Sequence, residues 1–305
     1  MTVPYDYEAL WLKAKMFLNR AMDPDDTTRS FDERALMATF ALELLAKSAL
    51  SRTSPVLIAE PTEDGSNLLV ATGLLSGEAQ FITVRAKTIY SRCQKAFRPF
   101  NADEAGQFTA ARNSYIHSGT AQFTNIPEDG WWPKFWRLAL ILNTATDHDL
   151  EELVGDDRLT TVNTHLERNK KRIEHQAEML LENAKTRLAQ HRAGVLPARV
   201  AKQWAPGRDR TAGLQYQDAC TCPACEGRGV VEGDDVNESR VDTYQVSKYD
   251  YESVVELTVF PDYFSCWDCG LVLDSFELLE QVGLEEPFTT EGELDDLREP
   301  DYGND

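Results

Sequence analysis

The sequence contains no apolar run near the ~20 residues that a helix needs to cross a bilayer. Its opening stretch, Met-Thr-Val-Pro-Tyr-Asp-Tyr-Glu, lacks the basic and apolar regions of a secretory signal peptide. These absences argue against a membrane partner and predict a cytoplasmic protein. The chain has 305 residues, 42% of them hydrophobic, and is therefore long enough to bury a substantial core, most simply in two domains.

Basic residues are also scarce, with 31 Lys and Arg against 51 Asp and Glu and a formal net charge of -20. Such a protein repels a polyanion at long range, which argues against non-specific nucleic-acid binding. One segment differs, because residues 165–210 carry eleven Lys or Arg against five Asp or Glu. From residue 281 onward there are nine acids and one base, which is typical of a solvated, disordered tail. That tail could also compete with nucleic acid for the basic segment.

Cysteines are few, but four of the six form two Cys-x-x-Cys pairs, Cys222 with Cys225 and Cys266 with Cys269. In a reducing compartment this arrangement favours a metal site over disulfides. Each turn brings two thiolates to one metal, and the nearby glycines let backbone amides approach the sulfurs. Because four ligands leave no open position for water, we expect the metal to be a structural zinc ion.

The region around these pairs resembles zinc-ribbon domains, and two strand-like runs, 241–246 and 254–260, lie between the pairs. Cys220 lies two residues before the first pair. The choice of N-terminal thiols therefore stays open, although the Cys-x-x-Cys turn favours Cys222 and Cys225. The ribbon is expected either to present a surface to nucleic acid or protein, or to be purely architectural. A redox or chaperone-like cysteine module is the weaker alternative.

The chain before residue 194 has the apolar periodicity of helices. Ser30 and Glu33 form a capping box that opens a helix expected to run to about residue 51. On this helix, Glu43 and Lys47 have the i,i+4 spacing of a favourable ion pair. We expect them to form a surface ion pair, and contact between this pair and a functional site is left open.

Three tryptophans, Trp131, Trp132 and Trp136, occur within six residues. Exposed indoles could stack nucleobases in an RNA-binding protein. The apolar periodicity that follows them favours a core helix whose indoles pack against neighbouring helices. We therefore expect the tryptophans to serve packing.

The most informative helix is the one that Asn101 and Glu104 are expected to cap. It ends with Arg112-Asn113-Ser-Tyr-Ile-His117, followed by Ser-Gly. Asn113 and His117 are four residues apart and lie on one helical face, and the long Arg112 side chain can reach the same place. The other side of the helix carries apolar residues at the spacing of a core face: Phe108, Ala111 and Tyr115. No other part of the sequence offers a plausible acid/base constellation.

The pattern Arg112-Asn113-x-x-x-His117 at the end of a helix resembles the HEPN domains. Their motif is an arginine followed, after a spacer of about four to six residues, by a histidine. The helix around residues 40–47 is similar to the early helix of these domains. The resemblance implies a mainly α chain, with a HEPN-like helical bundle followed by a small β-rich zinc ribbon.

The predicted organisation has five parts. We expect a HEPN-like bundle at residues 1–155, a long charged helix at 156–193, a linker at 194–217, a zinc-ribbon-like domain at 218–284 and an acidic tail at 285–305. The charged helix carries a narrow apolar stripe, which would suit a partner helix or a dimer interface.

Resemblance to catalytically active HEPN proteins implies a metal-independent endoribonuclease that needs no cofactor beyond the structural zinc. His117 would exchange protons with the ribose 2′-hydroxyl or the leaving 5′-oxygen, Arg112 would stabilise charge on the phosphate, and Asn113 would orient His117 or the phosphate. The family further implies a homodimer whose motif helices face a shared cleft. It also implies a role as a toxin, antiviral defence effector or RNA-processing factor, with RNA as the partner and a protein regulator as a further candidate.

The competing interpretation is a non-catalytic interaction module, which agrees with the strong acidity. The helical domain would dimerise, and the ribbon would recruit a protein or a nucleic acid. Arg112 and His117 would then be a hydrogen-bonding pair at a helix end, with His117 close to the C-terminal carbonyls.

Overall fold

The structure is a computed structural model that describes residues 5–292 except residues 24, 27, 77–80, 121, 205, 248 and 249. The chain divides into two compact units, Met1–Lys170 and Lys171–Asp305, with the boundary inside one long helix. The expectation of a mainly α chain with a small β part is confirmed, since the described residues form ten α-helices and seven strands. None of these helices is both long and apolar enough to cross a membrane.

The first unit is helical and packs around one apolar core. Its described elements are α1 Tyr7–Ala21, α2 Phe31–Thr53, a 3-10 helix Pro55–Ile58, α3 Ser66–Ala71, α4 Ala86–Ala96, α5 Ala102–His117, α6 Glu128–Thr144, α7 Leu150–Val154 and the first part of α8 Asp156–Arg192. The end of α8 agrees with the long charged helix predicted over residues 156–193.

Helix α2 lies at the centre of this unit and contacts α1, α4, α5 and α6. The predicted capping box at its start is confirmed, because Glu33 N donates to Ser30 Oγ at 3.3 Å and Ser30 N donates to Glu33 Oε2 at 2.9 Å. Ser48 Oγ donates to Tyr7 O at 2.8 Å and ties α2 to α1. The helix buries small residues that let its neighbours approach closely: Ala35, Ala38, Ala41, Ala46 and Ala49.

The tryptophans of α6 are core residues, as predicted. Trp131 and Trp136 are fully buried, and Trp132 is buried as well. Trp131 packs edge-on against Phe108 of α5, with 5.0 Å between the ring centroids. The indoles therefore hold α5 in place and do not present a surface on which nucleobases could stack.

The second unit holds two antiparallel sheets, with strand orders β1-β2-β5-β6 and β3-β4-β7. Its elements are α9 Ala198–Gln203, β1 Tyr216–Thr221, β2 Arg228–Gly233, β3 Val236–Ser247, β4 Asp250–Val259, β5 Tyr263–Cys266, β6 Val272–Leu273, α10 Phe276–Glu280 and β7 Phe288–Gly292. The later part of α8 contributes Ile173, Ala177, Ala184 and Leu188 to the core of this unit.

Strands β3 and β4 form a long hairpin that contains nearly all of the two predicted runs at 241–246 and 254–260. Val241 lies opposite Val255 in this hairpin. The twelve residues of β3, which lies at the edge of its sheet, are exposed along their whole length, and β7 pairs only with residues 255–259 of β4, so the hairpin extends beyond the three-stranded part of the sheet. The apolar alternation located the strands but not their full length.

Two predicted segments contain ordered elements. Residues 194–217, for which we expected a linker, include α9 and the buried Trp204, whose Nε1 donates to Cys269 O at 3.1 Å. Residues 285–305, for which we expected an acidic tail, include β7, which pairs with β4 and buries Phe288. Residues 293–305 of that tail lie outside the described residues. In each segment one aromatic side chain supplies apolar burial that a count of charges does not reveal.

Candidate active site and metal centre

Helix α5 presents the motif at its C-terminal end. Glu104 N donates to Asn101 Oδ1 at 2.8 Å, which confirms the predicted cap. Phe108 is buried, and Tyr115 packs partly buried against the same core. The opposite face is exposed, and the helix ends at His117. The predicted division of α5 into a core face and a motif face is therefore confirmed.

The Arg112 guanidinium is held by two polar neighbours. Its Nη1 donates to Glu43 Oε2 on α2 at 2.6 Å. Its Nε and Nη2 both donate to Asn113 Oδ1, at 3.2 and 3.1 Å. Arg112 also lies 5.7 Å from the ring centroid of Phe40. These contacts fix the orientation of a side chain that is 16% exposed.

Glu43 and Lys47 form the expected ion pair, but the expectation that the pair lies on the surface is wrong. The pair forms, with 2.8 Å between Lys47 Nζ and Glu43 Oε1, but the two side chains are only 14% and 18% exposed. Burial raises the pKa of the Glu43 carboxyl, yet the charges and hydrogen bonds of Lys47 and Arg112 outweigh burial and hold that pKa below its ordinary value. Glu43 is therefore charged at neutral pH and joins a cation from its own helix to one from α5.

His117 and Asn113 are exposed on the last turns of α5, with the four-residue spacing that was predicted. Among the residues that the structure describes, His117 has no hydrogen-bond or ion-pair partner, and Arg112 forms no hydrogen bond with it. The helix-end pair of the competing interpretation is therefore not formed. One chain presents an anchored arginine and an exposed histidine that are not hydrogen-bonded to each other.

Glu43 is the site residue whose role sequence reasoning missed. It precedes Arg112 by 69 positions, and its contact with α5 depends on how α2 and α5 pack. Its i,i+4 spacing to Lys47 was visible, but the same spacing is common on solvated helix faces. The available signal was that Leu42 and Leu45, on either side of it, belong to the apolar face of α2 and are fully buried.

The four predicted cysteines come together in the second unit. All four Sγ atoms lie within 4.8 Å of one another, and the Cys222–Cys269 and Cys225–Cys266 sulfur pairs are both 3.6 Å apart. Tetrahedral zinc with Zn–S bonds of about 2.3 Å needs sulfurs roughly 3.8 Å apart. The four sulfurs could therefore hold one tetrahedral metal ion, and little rearrangement would be needed.

Glycines near the cysteines are required by close packing. Gly270 follows Cys269 with φ +68°, and a Cβ there would lie 2.2 Å from Trp204 Nε1. A Cβ on Gly229 of β2 would lie 2.4 Å from the Phe264 ring. Both distances exclude a side chain, and the left-handed backbone at Gly270 adds a second reason for glycine. The structure thus gives these glycines a packing role beside the expected access of amides to sulfur.

Cys220 lies outside the four-sulfur cluster found among the described residues. It is on β1, opposite Gly229, and is partly buried. Burial raises the pKa of its thiol to about 11, which disfavours a reactive thiolate. The geometry therefore favours Cys222 and Cys225 as the N-terminal metal ligands, in agreement with the Cys-x-x-Cys turn.

No family model matches this chain, and no curated protein or solved structure matches it either. The resemblance to the HEPN domains therefore rests on the sequence motif at the end of α5 alone. The candidate metal centre rests on the positions of four sulfur atoms.

Proposed function

We propose that this chain is a HEPN-like, metal-independent endoribonuclease whose first unit is a HEPN-like helical bundle. The observation that carries the proposal is the arrangement at the end of α5, where Arg112 is held by Glu43 and Asn113 and His117 is exposed. An arginine that is already ordered loses little side-chain freedom when it binds the oxygens of a phosphate. The imidazole of His117 is exposed, and histidine is the side chain that most readily both accepts and donates a proton near neutral pH.

The reaction would be a transesterification within RNA. The 2′-hydroxyl gives its proton to neutral His117, and its oxygen forms a bond to the adjacent phosphorus while the bond from phosphorus to the 5′-oxygen breaks. The leaving 5′-oxygen receives a proton from His117 of the partner subunit. Arg112 stabilises the negative charge on the five-coordinate phosphorus, and Asn113 orients the phosphate. The products are a 2′,3′-cyclic phosphate and a 5′-hydroxyl.

A homodimer is part of the proposal because one His117 cannot serve as base and acid in the same step. The exposed face of α5 carries Asn113 and His117 beside Ile116, an apolar side chain that is 48% exposed. A second copy that covers Ile116 would bury apolar surface and bring two motifs together. The resemblance places such an enzyme among toxins, antiviral defence effectors and RNA-processing factors.

The four cysteines would hold a structural zinc ion. Four thiolate ligands complete a tetrahedron and leave no position for a reactive water, so the metal would stabilise the second unit without entering the reaction. This assignment keeps the RNA chemistry in the first unit and the metal in the second.

A non-catalytic HEPN dimer is the alternative, and one observation favours it. Glu43 lies 2.6 Å from Arg112 and compensates its charge, which weakens the attraction of Arg112 for a phosphate. The net charge of -20 adds to this effect. In this case the zinc ribbon would serve as the interaction module for a protein or a nucleic acid.

The proposal is tested by incubating the purified protein with labelled RNA in EDTA and analysing the new ends. We expect cleavage without divalent cations, 2′,3′-cyclic phosphate and 5′-hydroxyl ends, and no cleavage where a 2′-deoxy nucleotide replaces the attacking ribose. Bound zinc is measured before and after incubation, so that a loss of fold is not mistaken for inactivity. If zinc-loaded protein leaves a diverse set of RNAs intact, the nuclease is rejected and the alternative stands.

A further inference from the structure

Arginines from two segments of the second unit lie close to one another near Trp204. We define the arginine cluster as Arg187 of α8 together with Arg208 and Arg210, which follow α9. The Arg187 guanidinium lies 5.8 Å from the ring centroid of Trp204. Arg210 Nε and the Trp204 ring both border Gly270, where a Cβ would lie 3.1 Å from Arg210 Nε. Arg187 and Arg210 therefore meet at one indole.

The segment that carries Arg208 and Arg210 is held by hydrogen bonds to Tyr263 of β5 and, through Trp204, to Cys269. Tyr263 Oη donates to Arg210 O at 3.0 Å, and Trp204 Nε1 donates to Cys269 O at 3.1 Å. Arg210 Nη1 donates to Arg208 O at 2.9 Å. Because these contacts order the backbone and one guanidinium in advance, an anion bound here would lose little affinity to side-chain ordering.

Within the described part of the chain, neither Arg187 nor Arg210 forms an ion pair with Asp or Glu. A metal-bound four-thiolate centre would compensate part of their positive charge. Arg112 in the first unit differs from these two arginines, because it forms an ion pair with Glu43.

We propose that the arginine cluster binds consecutive phosphates of a single-stranded RNA backbone. The guanidinium fork matches two phosphate oxygens, and several arginines together suit a ligand with phosphates in succession better than a single small anion. The cluster also lies within residues 165–210, the segment with eleven Lys or Arg against five Asp or Glu. The inference rests on the proposed function only for the choice of RNA over DNA, because a phosphate-binding cluster carries no information about the sugar.

The test measures equilibrium binding of a fluorescein-labelled RNA by fluorescence anisotropy. The RNA is about 20 nucleotides long, which exceeds the usual site size of a single-strand-binding domain. The binding protein carries His117→Ala, so that the RNA stays intact whether or not the chain is a nuclease. In this background, Arg187→Gln/Arg208→Gln/Arg210→Gln is compared with Arg240→Gln. Arg240 is the matched control, since it is an exposed arginine of the same unit that already pairs with Asp242 at 3.1 Å.

Each phosphate contact to a single strand contributes about 0.7 to the slope of log affinity against log salt. We therefore expect the triple variant to lower that slope by about 2 and to bind roughly 100-fold more weakly at 0.1 M salt, with Arg240→Gln unchanged. DNA of the same sequence should show the same loss if phosphates are the ligand. An unchanged salt slope in the triple variant, or equal weakening by Arg240→Gln, would overturn the proposal.

The fold of the second unit is checked by zinc content and circular dichroism. If the triple variant loses zinc, the test passes to Arg187→Gln alone, because Arg187 lies on α8 against the Trp204 ring, away in sequence from the cysteine turns. This single change should weaken binding about fivefold at 0.1 M salt. A folded Arg187→Gln protein with unchanged affinity would exclude Arg187 and, with it, the cluster as defined. RNA cleavage is scored separately, so failure of binding and failure of the nuclease remain distinguishable.

Discussion

The end of α5 and the four-cysteine site both present reactive groups on short motifs, but one is open and the other is closed. The four sulfurs lie within 4.8 Å of one another inside a single unit. At the end of α5, Asn113 and His117 are exposed, and the position of Arg112 depends on Glu43 from another helix. A closed site of this kind is complete in one chain and is expected to act in folding. An open site leaves room for a substrate and for a second copy.

The largest effect is expected for Cys266→Ser, which breaks the closed site. Zinc binding in small zinc domains has apparent free energies of about 10–16 kcal/mol, and that energy is also folding energy. The variant should lose its zinc, and amides of β2 and β5 should lose protection in hydrogen exchange while the helices of the first unit keep theirs. Cys220→Ser, outside the cluster, is the matched control and should retain zinc. Equal zinc content in the two variants would remove Cys266 from the site.

A smaller effect is expected for Glu43→Gln, which tests the anchor of the open site. Loss of the carboxylate leaves Lys47 and Arg112 as partly buried cations without their shared partner. We expect a loss of about 1–2 kcal/mol in the free energy of unfolding, measured from urea transitions. Glu182→Gln is the control, because its pairing with Lys185 is exposed and should contribute almost nothing.

The Glu43 contribution should also depend on pH in a defined direction. Its pKa in the folded protein lies below the ordinary value of about 4.3 for glutamate. The stabilisation is therefore fully present above that ordinary value and is lost as pH falls through the folded-state pKa. The difference in unfolding free energy between wild type and Glu43→Gln should shrink below about pH 4. A difference that stays constant from pH 7 to acid would show that charge is not its source.

The smallest effect is expected for Asn101→Ala, which removes the cap of α5 without touching either site. Loss of the hydrogen bond from Glu104 N should cost about 1 kcal/mol. For a unit of this size, the melting temperature should fall by about 2–4 °C. Asn101→Asp keeps an accepting oxygen and should melt close to wild type. Should the two variants melt alike, the cap would contribute nothing to the stability of α5.

Features fixed by neighbours in sequence were predictable. The Ser30–Glu33 box, the Asn101 cap and the two cysteine turns each depend on residues a few positions apart, and all are present. Periodicity likewise identified the buried face of α5. Periodicity could not identify the helices that pack against that face, because a helical pattern specifies which side is buried and not which element covers it.

Features fixed by distant contacts were not predictable. Glu43 meets Arg112 only because α2 and α5 pack together. Trp204 and Phe288 are buried in the core of the second unit. They lie in segments whose composition is typical of a linker and of a tail, so composition alone did not predict their burial. The proposed dimer would belong to the same class, since a pattern along one chain does not specify how two copies would meet.

The central claim is that Arg112 and His117 cleave RNA, and single-turnover cleavage without divalent cations tests it most directly. Wild type is compared with Arg112→Ala, His117→Ala and the exposed-histidine control His175→Ala. We predict that the first two variants cleave at least about 100-fold more slowly, with zinc content unchanged, and that His175→Ala cleaves like wild type. Wild-type rates in Arg112→Ala and His117→Ala would contradict the account.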